Sequence, residues 1–267
     1  MPINLEQTPQ MIVTDLDRTL LRTDKTISEY TTEIFRECRT QGIKTVIATA
    51  RSEFQCKKFI DNIKPDAVIS NGGARARVKE TEVYRAIIDK ETSNLLLQEF
   101  LNHTDVGYIT IETENNQYFA NHPIDDVSKS YLDANQVIQT DFSNGLNCGA
   151  YKIVPEVRDK ELVWELMKKF QAIKAISFTN ELWVCFANKL ATKWESIKAV
   201  AKYLEIDTHH IVAFGDDLND VEMLKNCGVG VAVSNGIQEA KAASDYICES
   251  NDEDGVARWI EANILNL

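Results

Sequence analysis

The stretch that decides the fold is Met11-Ile12-Val13-Thr14-Asp15-Leu16-Asp17, a short apolar run that ends on two carboxylates. A run with no polar alternation reads as a strand buried on both faces, the habit of a parallel sheet. Downstream, Ser28 has the character of an N-cap. Tyr30, Ile34 and Cys38 follow it at i+4 spacing, and Gly42 closes the helix. Ile43 to Ala48 forms a second apolar strand that ends at Thr49. Phe54 to Ile63 reads as a helix stopped by Pro65, and Ala67-Val68-Ile69 as a third strand before Asn71-Gly72-Gly73. This βαβαβ order predicts a parallel sheet with right-handed crossovers.

The rhythm changes beyond Ala74. Ala74 to Ala86 reads as a polar hairpin turning near Lys79-Glu80, and Asp89 to Asn102 as a helix with Leu95, Leu96 and Phe100 inward. A second hairpin is expected about Asn115-Asn116. Ala150 to Val154 reads as a strand, and Asp159 to Phe170 as an amphipathic helix. A third hairpin, from Ile176 to Ala187, would turn at Asn180-Glu181. From Lys193 the first rhythm returns. It gives a helix to about Leu204, a strand at Ile211 to Phe214, and further alternation to the end of the chain. The expected class is therefore α/β, a Rossmann-like doubly wound parallel sheet with an inserted α+β domain. The core would span residues 1–82 and 188–267, and the insert residues 83–187.

A net charge of −12 gives the chain no reason to seek nucleic acid or an anionic membrane. It also means that an anionic substrate would need a counter-charge at its site. No Cys or His spacing reads as a zinc site, so the cysteines are expected as free thiols in a reducing compartment. Met1 to Gln10 is polar and unlike a signal peptide, and no segment approaches the ~20 apolar residues of a membrane span. A cytoplasmic location is expected.

Chemistry in a doubly wound sheet gathers at the carboxyl ends of the strands. Four features of this sequence fall there: Asp15-Leu16-Asp17, Thr49, Lys193 at a helix start, and Gly215-Asp216-Asp217-Leu218-Asn219-Asp220. Taken singly, each has a bland reading. An aspartate after a strand is a turn residue, a threonine is an N-cap, and a lysine is a surface charge. Taken together, two acidic clusters at one sheet edge would crowd like charges. At ~4 Å such a pair repels by about 4 kcal/mol at an effective dielectric of ~20. A divalent cation removes that cost, and all-oxygen ligands suit Mg²⁺.

This set resembles the four motifs of the haloacid dehalogenase-like phosphatases. Asp15-Leu16-Asp17-Arg18-Thr19 is similar to the first motif, D-x-D-x-T. Thr49 corresponds to the second and Lys193 to the third. Gly215 to Asp220 is similar to the fourth, G-D-x-x-N-D. The long insert and Ser70-Asn71-Gly72 resemble the Cof-type subgroup with its large α/β (C2-type) cap. Arg18, Ala50 and Trp194 stand where the family usually has glycine.

The resemblance implies a Mg²⁺-dependent phosphatase acting on a small phosphate monoester, with a sugar phosphate as the leading candidate. Asp15 would be the nucleophile and Asp17 the general acid and base. Mg²⁺ would be held by Asp15, Asp17 (through its carbonyl) and Asp216, with Asp220 behind them. Thr49, Ala50, Asn71, Gly72, Lys193 and Asn219 would surround the phosphate. Tyr118 and His122 are candidate substrate contacts in the cap. Asp17 has to carry a proton at the first step, which burial or a neighbouring carboxylate would favour. A hexose phosphomutase-like transfer and a non-catalytic phospho-ligand sensor are the competing readings.

Overall fold

The structure is a computed structural model, described here for residues 8–123, 137–177 and 181–265. The chain divides into two compact units, Met1–Tyr84 with Thr192–Leu267, and Arg85–Ala191.

The first unit is built on a sheet with strands β1 (Met11–Thr14), β2 (Lys44–Ala48), β3 (Ala67–Ser70), β4 (Arg75–Val78), β5 (Thr81–Arg85), β12 (Ile211–Gly215), β13 (Val229–Val233) and β14 (Tyr246–Cys248). Their order is β14-β13-β12-β1-β2-β3-β4-β5. From β14 to β3 every pairing is parallel, and β4 turns back antiparallel on β3. The chain winds outward from β1 through β2 and β3, then returns to the other side of β1 at β12. The strand order reverses between those two strands, which opens a crevice at their carboxyl ends.

Both faces of this sheet are covered, which is why β1 is buried at all four positions. On one face Ile12, Ile47, Phe214 and Val231 pack with Phe35 of α1 (Glu29–Thr40), Phe59 of α2 (Glu53–Ile63) and Trp259 of α8 (Gly255–Ile260). On the other, Met11, Val13, Val46 and Ala213 pack with Ile197 and Val200 of α5 (Lys193–Tyr203) and Met223 of α6 (Val221–Asn226). Alternate residues of one strand thus enter two cores. Burying a side chain such as Phe35 contributes about 1.5–3 kcal/mol. Ser28 caps α1 by accepting the Thr31 N–H, and Gly42 follows the helix end at φ +82°. Ser52 and Gln55 form a capping box at the start of α2.

The second unit has a sheet ordered β10-β11-β9-β6-β7-β8. Its strands are β6 (Val106–Thr113), β7 (Tyr118–Ala120), β8 (Val137–Gln139), β9 (Ala150–Val157), β10 (Ile173–Ser177) and β11 (Val184–Asn188). The hairpin about Asn115-Asn116 forms as expected, β6 pairing antiparallel with β7. In the last hairpin β10 begins at Ile173, earlier than the pattern suggests, and Asn180 of its expected turn lies outside the described residues. Helix α3 (Lys90–Asn102) and helix α4 (Lys160–Lys169) supply Leu96, Leu97, Phe100, Leu162 and Leu166 to a core with Ile109, Ile111, Ile153 and Phe186. The expected inward set is corrected at one position. Leu95 is 44% exposed and Leu97 is buried, because the stripe runs Ser93, Leu96, Leu97, Phe100. Helix α7 (Gln238–Ala243) belongs to the first unit.

Candidate active site

The crevice between β1 and β12 gathers the carboxylates. The Asp15 N–H donates to the Phe214 carbonyl at 2.9 Å, which extends the parallel ladder by one residue and fixes Asp15 at the strand end. The chain then turns through Leu16–Leu20, where Arg18 takes φ 60°. Thr19 Oγ1 emerges from that turn and donates to Asp216 Oδ1 at 3.0 Å.

Asp220 organises the opposite loop. Its Oδ2 accepts the backbone N–H groups of Asp216 at 2.9 Å and Asp217 at 3.1 Å. This requires close approach to Gly215, where a Cβ would lie 2.4 Å from the Asp220 Cβ. The other oxygen of Asp220 accepts from Lys193 Nζ at 2.6 Å, and Lys193 also donates to Asp15 Oδ1 at 2.6 Å.

Lys193 is the first residue of α5, whose N-cap Thr192 accepts the Glu195 N–H. The turn after β3 presses on this helix start. Ser196 Oγ donates to the Gly73 carbonyl at 2.9 Å, and a Cβ on Gly73 would lie 2.1 Å from the Thr192 backbone. Gly73 is thus the residue that lets α5 deliver its lysine.

Asp15, Asp216 and Asp220 are all buried, with carboxylate oxygens within 4.8 Å of one another. Burial pushes Asp15 well above the ordinary carboxylate range, opposed by Lys193 and reinforced by Asp220 and Asp216. Asp216 is pushed up to about 6, chiefly by burial and Asp220, against Thr19, Lys193 and Arg18. Burial works to lower Lys193, but Asp15 and Asp220 outweigh it and hold the ammonium above its usual value. Lys193 is hydrogen-bonded to two of the three buried carboxylates, and at Asp15 and Asp216 burial together with mutual repulsion outweighs the cations nearby.

Asp17 is placed differently. Its carboxylate accepts two bonds from Arg51, from Nε at 2.6 Å and Nη2 at 2.6 Å, and one from Lys25 Nζ at 3.0 Å. Burial works to raise its pKa, but Arg51 and Lys25 prevail and hold it below the ordinary value. The expected means of keeping a proton on Asp17 is therefore reversed by two cations. Arg51 is not among the residues expected from the sequence, although its place two residues past Thr49 is a signal that could have marked it. Lys25 follows from a tight turn in which its N–H donates to the Arg22 carbonyl, and no local pattern marks it.

Thr49 is buried, and its Oγ1 accepts the Arg51 N–H at 3.1 Å. The Thr49 carbonyl accepts the Gly72 N–H at 3.0 Å, and the Arg51 carbonyl accepts the Asn71 N–H at 2.8 Å. These bonds lace together the loops after β2 and β3. Asn71 is buried at φ +53°, and its Oδ1 finds no hydrogen-bond partner among the described residues. Ala50 is exposed, and Gly72 and Asn219 are half-buried, Asn219 in the turn Leu218–Asp220. Trp194 packs against the α5 side of the first unit's core, with Lys198 Nζ 5.8 Å from its ring centroid. Tyr118 and His122 belong to the second unit, where His122 stacks on Tyr108 at 4.5 Å and Trp183 at 5.8 Å.

Comparison with known proteins identifies the family and the fold. A family model described as haloacid dehalogenase-like hydrolase matches residues 12–260. The 5-amino-6-(5-phospho-D-ribitylamino)uracil phosphatase YcsE of Bacillus subtilis is 26% identical over 265 residues, covering 96% of this chain and 96% of its own. A haloacid dehalogenase-like hydrolase from Bacteroides thetaiotaomicron superposes with a TM-score of 0.80 at 24% identity, over 95% of this chain and 98% of that one. The subclass IIB sugar phosphatase BT4131 does so with a TM-score of 0.80 at 23% identity, over 94% and 98%. These two are likenesses of fold.

Proposed function

The chain belongs to the haloacid dehalogenase-like hydrolases, and from that premise we propose that it is a Mg²⁺-dependent phosphatase working through an aspartyl-phosphate on Asp15. Its substrate is a small phosphate monoester, with sugar phosphates first among the candidates. The observation that carries the reading is the shared lysine. Lys193 is held at 2.6 Å from both Asp15 and Asp220, beside Asp216, in the crevice where the strand order reverses.

The residues fit a magnesium ion by the chemistry of their donors. Three buried carboxylates converge there with one ammonium between them, and hard oxygen ligands are what Mg²⁺ takes. Asp15, Asp216 and the Asp17 carbonyl would hold it, with Asp220 orienting Lys193. Asp17 suits a backbone role because its carboxylate is engaged by Arg51 and Lys25. When bound, the metal neutralises charge on the transferring phosphoryl group and lets the carboxylate of Asp15 meet a dianion.

In the first step an Asp15 oxygen bonds to phosphorus and the ester P–O bond breaks, while Asp17 gives a proton to the departing oxygen. In the second, water bonds to phosphorus, Asp17 takes a proton from it, and the Asp15–phosphorus bond breaks. Thr49 through its hydroxyl, Lys193 through its ammonium and Asn71 through its Nδ2 N–H groups are the donors this chain would offer to phosphate oxygens, all three residues being buried. In the state described here Asp17 is ionised, so its acid role requires the Arg51 and Lys25 clamp to loosen as substrate binds.

A panel of sugar, nucleotide, flavin and pyridoxal phosphates, assayed for free phosphate with Mg²⁺ and with EDTA, tests the reading. Metal-dependent phosphate release from at least one ester class is expected. Release that is unchanged by EDTA contradicts the metal, and no release from any ester contradicts the phosphatase.

A further inference from the structure

Arg18 stands beside the carboxylates at a position the family usually gives to glycine. Its backbone takes φ 60°, ψ 6°, a conformation disfavoured for a residue with a Cβ. Asn235 pins it there. Asn235 Nδ2 donates to the Arg18 carbonyl at 2.7 Å, and the Asn235 carbonyl accepts from Arg18 Nη2 at 3.4 Å. Asn235 is itself anchored, its Oδ1 accepting the Asn251 N–H at 2.9 Å. Asn251 Nδ2 donates to the Leu21 carbonyl at 2.9 Å. The guanidinium so placed has its Nε 3.8 Å from Asp216 Oδ2, while Thr19 occupies the other oxygen of that carboxylate.

The charges around the crevice then balance. Asp15 and Asp220 share Lys193, Asp17 has Arg51 and Lys25, and Asp216 has Arg18. Among these eight described residues, with their ordinary charges, four carboxylates face four cations. A divalent ion alone leaves an excess of two positive charges, and a phosphate dianion alone leaves two negative ones. Only both together restore neutrality. Arg18 is the cation of the four nearest to Asp216 and, at 63% side-chain exposure, the one least held by its surroundings.

We infer that Arg18 is a built-in counter-cation of the metal site, which keeps Mg²⁺ affinity low until a phosphate dianion is present, so that the two bind as a pair. This rests on the metal site proposed above. A unit cation within a few ångströms of a divalent one lowers its affinity about tenfold even at water-like screening. Linkage makes the coupling reciprocal, so Mg²⁺ raises phosphate affinity by the factor that phosphate raises Mg²⁺ affinity.

Calorimetric titration of Mg²⁺ into this chain, with and without inorganic phosphate, tests this. For the unaltered chain, phosphate is expected to tighten Mg²⁺ binding about tenfold or more. Without phosphate, Arg18→Gln is expected to bind Mg²⁺ about tenfold more tightly than the unaltered chain, and Arg18→Lys to match it. That difference should shrink between about 0.05 M and about 0.5 M KCl. If Arg18→Gln unfolds, Arg18→Gly removes the left-handed strain and carries the same expectation. Equal Mg²⁺ affinity across these proteins overturns the inference about Arg18 alone. An unaltered-chain affinity that phosphate does not change overturns the pairing. No Mg²⁺ binding by any of them, with phosphate or without, overturns the metal site and the inference with it.

Discussion

Lys193 and Asp15 stand 178 residues apart in the chain and 2.6 Å apart in the structure. That single contact depends on two folding decisions. β1 must lie beside β12, and the turn at Gly73 must hold the start of α5 against the crevice. Both are decisions of the sheet, which is why the chemistry of this chain is a consequence of its topology.

Replacing Lys193 by alanine leaves Asp15 and Asp220 buried without their ammonium. Removing one partner of a buried ion pair costs about 3–5 kcal/mol. The metal-free Lys193→Ala protein should therefore show a lower urea midpoint at neutral pH. A midpoint equal to that of the unaltered chain would mean the lysine does not neutralise these carboxylates.

The same burial sets a pH dependence for the metal-free protein. Asp216 is pushed up to about 6 in the folded state and Asp15 is raised as well, both by burial first. A group whose folded pKa is raised contributes stability below its unfolded value, about 3.9 for an aspartate, and loses it as pH rises through the folded value. In EDTA the contribution of these two groups should therefore stabilise the protein as pH falls from 7 towards 5. With saturating Mg²⁺ the trend of the same contribution reverses, because protons and metal compete for the same oxygens. Melting curves at pH 5, 6 and 7 with and without metal check this, and parallel trends in the two series would count against it.

Gly73 should not tolerate a side chain. It sits at φ +92°, and a Cβ there would lie 2.1 Å from the Thr192 backbone. Gly73→Ala is expected to destabilise by about 3 kcal/mol or more, among the large single-substitution effects. By contrast, a Cβ on Gly72 meets nothing within 4 Å. Its cost is confined to the left-handed backbone, about 1–2 kcal/mol. Denaturant titration of both variants gives the comparison, and equal losses would contradict the packing argument.

The cysteines should be poor nucleophiles in the native protein. Burial pushes the Cys38, Cys227 and Cys248 thiols up to about 12. Ellman's reagent at pH 8 is expected to react slowly with most of the six thiols and promptly with all six in urea. Prompt native reaction of all six would contradict the burial assigned to them.

Much of this architecture was legible in the sequence because parallel strands announce themselves. Met11 to Thr14, Ile211 to Phe214 and their neighbours are apolar without alternation, and each ends on the polar residue that the sheet edge then displays. The Asp15, Lys193, Asp216 and Asp220 cluster follows once those strands are set side by side. The clamp on Asp17 was not legible. Arg51 is 34 residues away and Lys25 is 8 away, and which carboxylate a long cation reaches is decided by loop conformation. The direction of the Asp17 shift was lost with it, since burial alone would have raised what the two cations lower. Leu95 and Leu97 show a smaller limit of the same kind. Both lie close to the apolar stripe of α3, and the docking of that helix on its sheet chooses between them.

The most direct test is the turnover of Asp15→Asn. Its hydrolysis of p-nitrophenyl phosphate would be measured at saturating Mg²⁺, with folding verified by circular dichroism. The nucleophile assignment predicts a folded protein with activity reduced about a thousandfold or more, on the scale of losing a covalent nucleophile. A folded Asp15→Asn protein with undiminished turnover would contradict it.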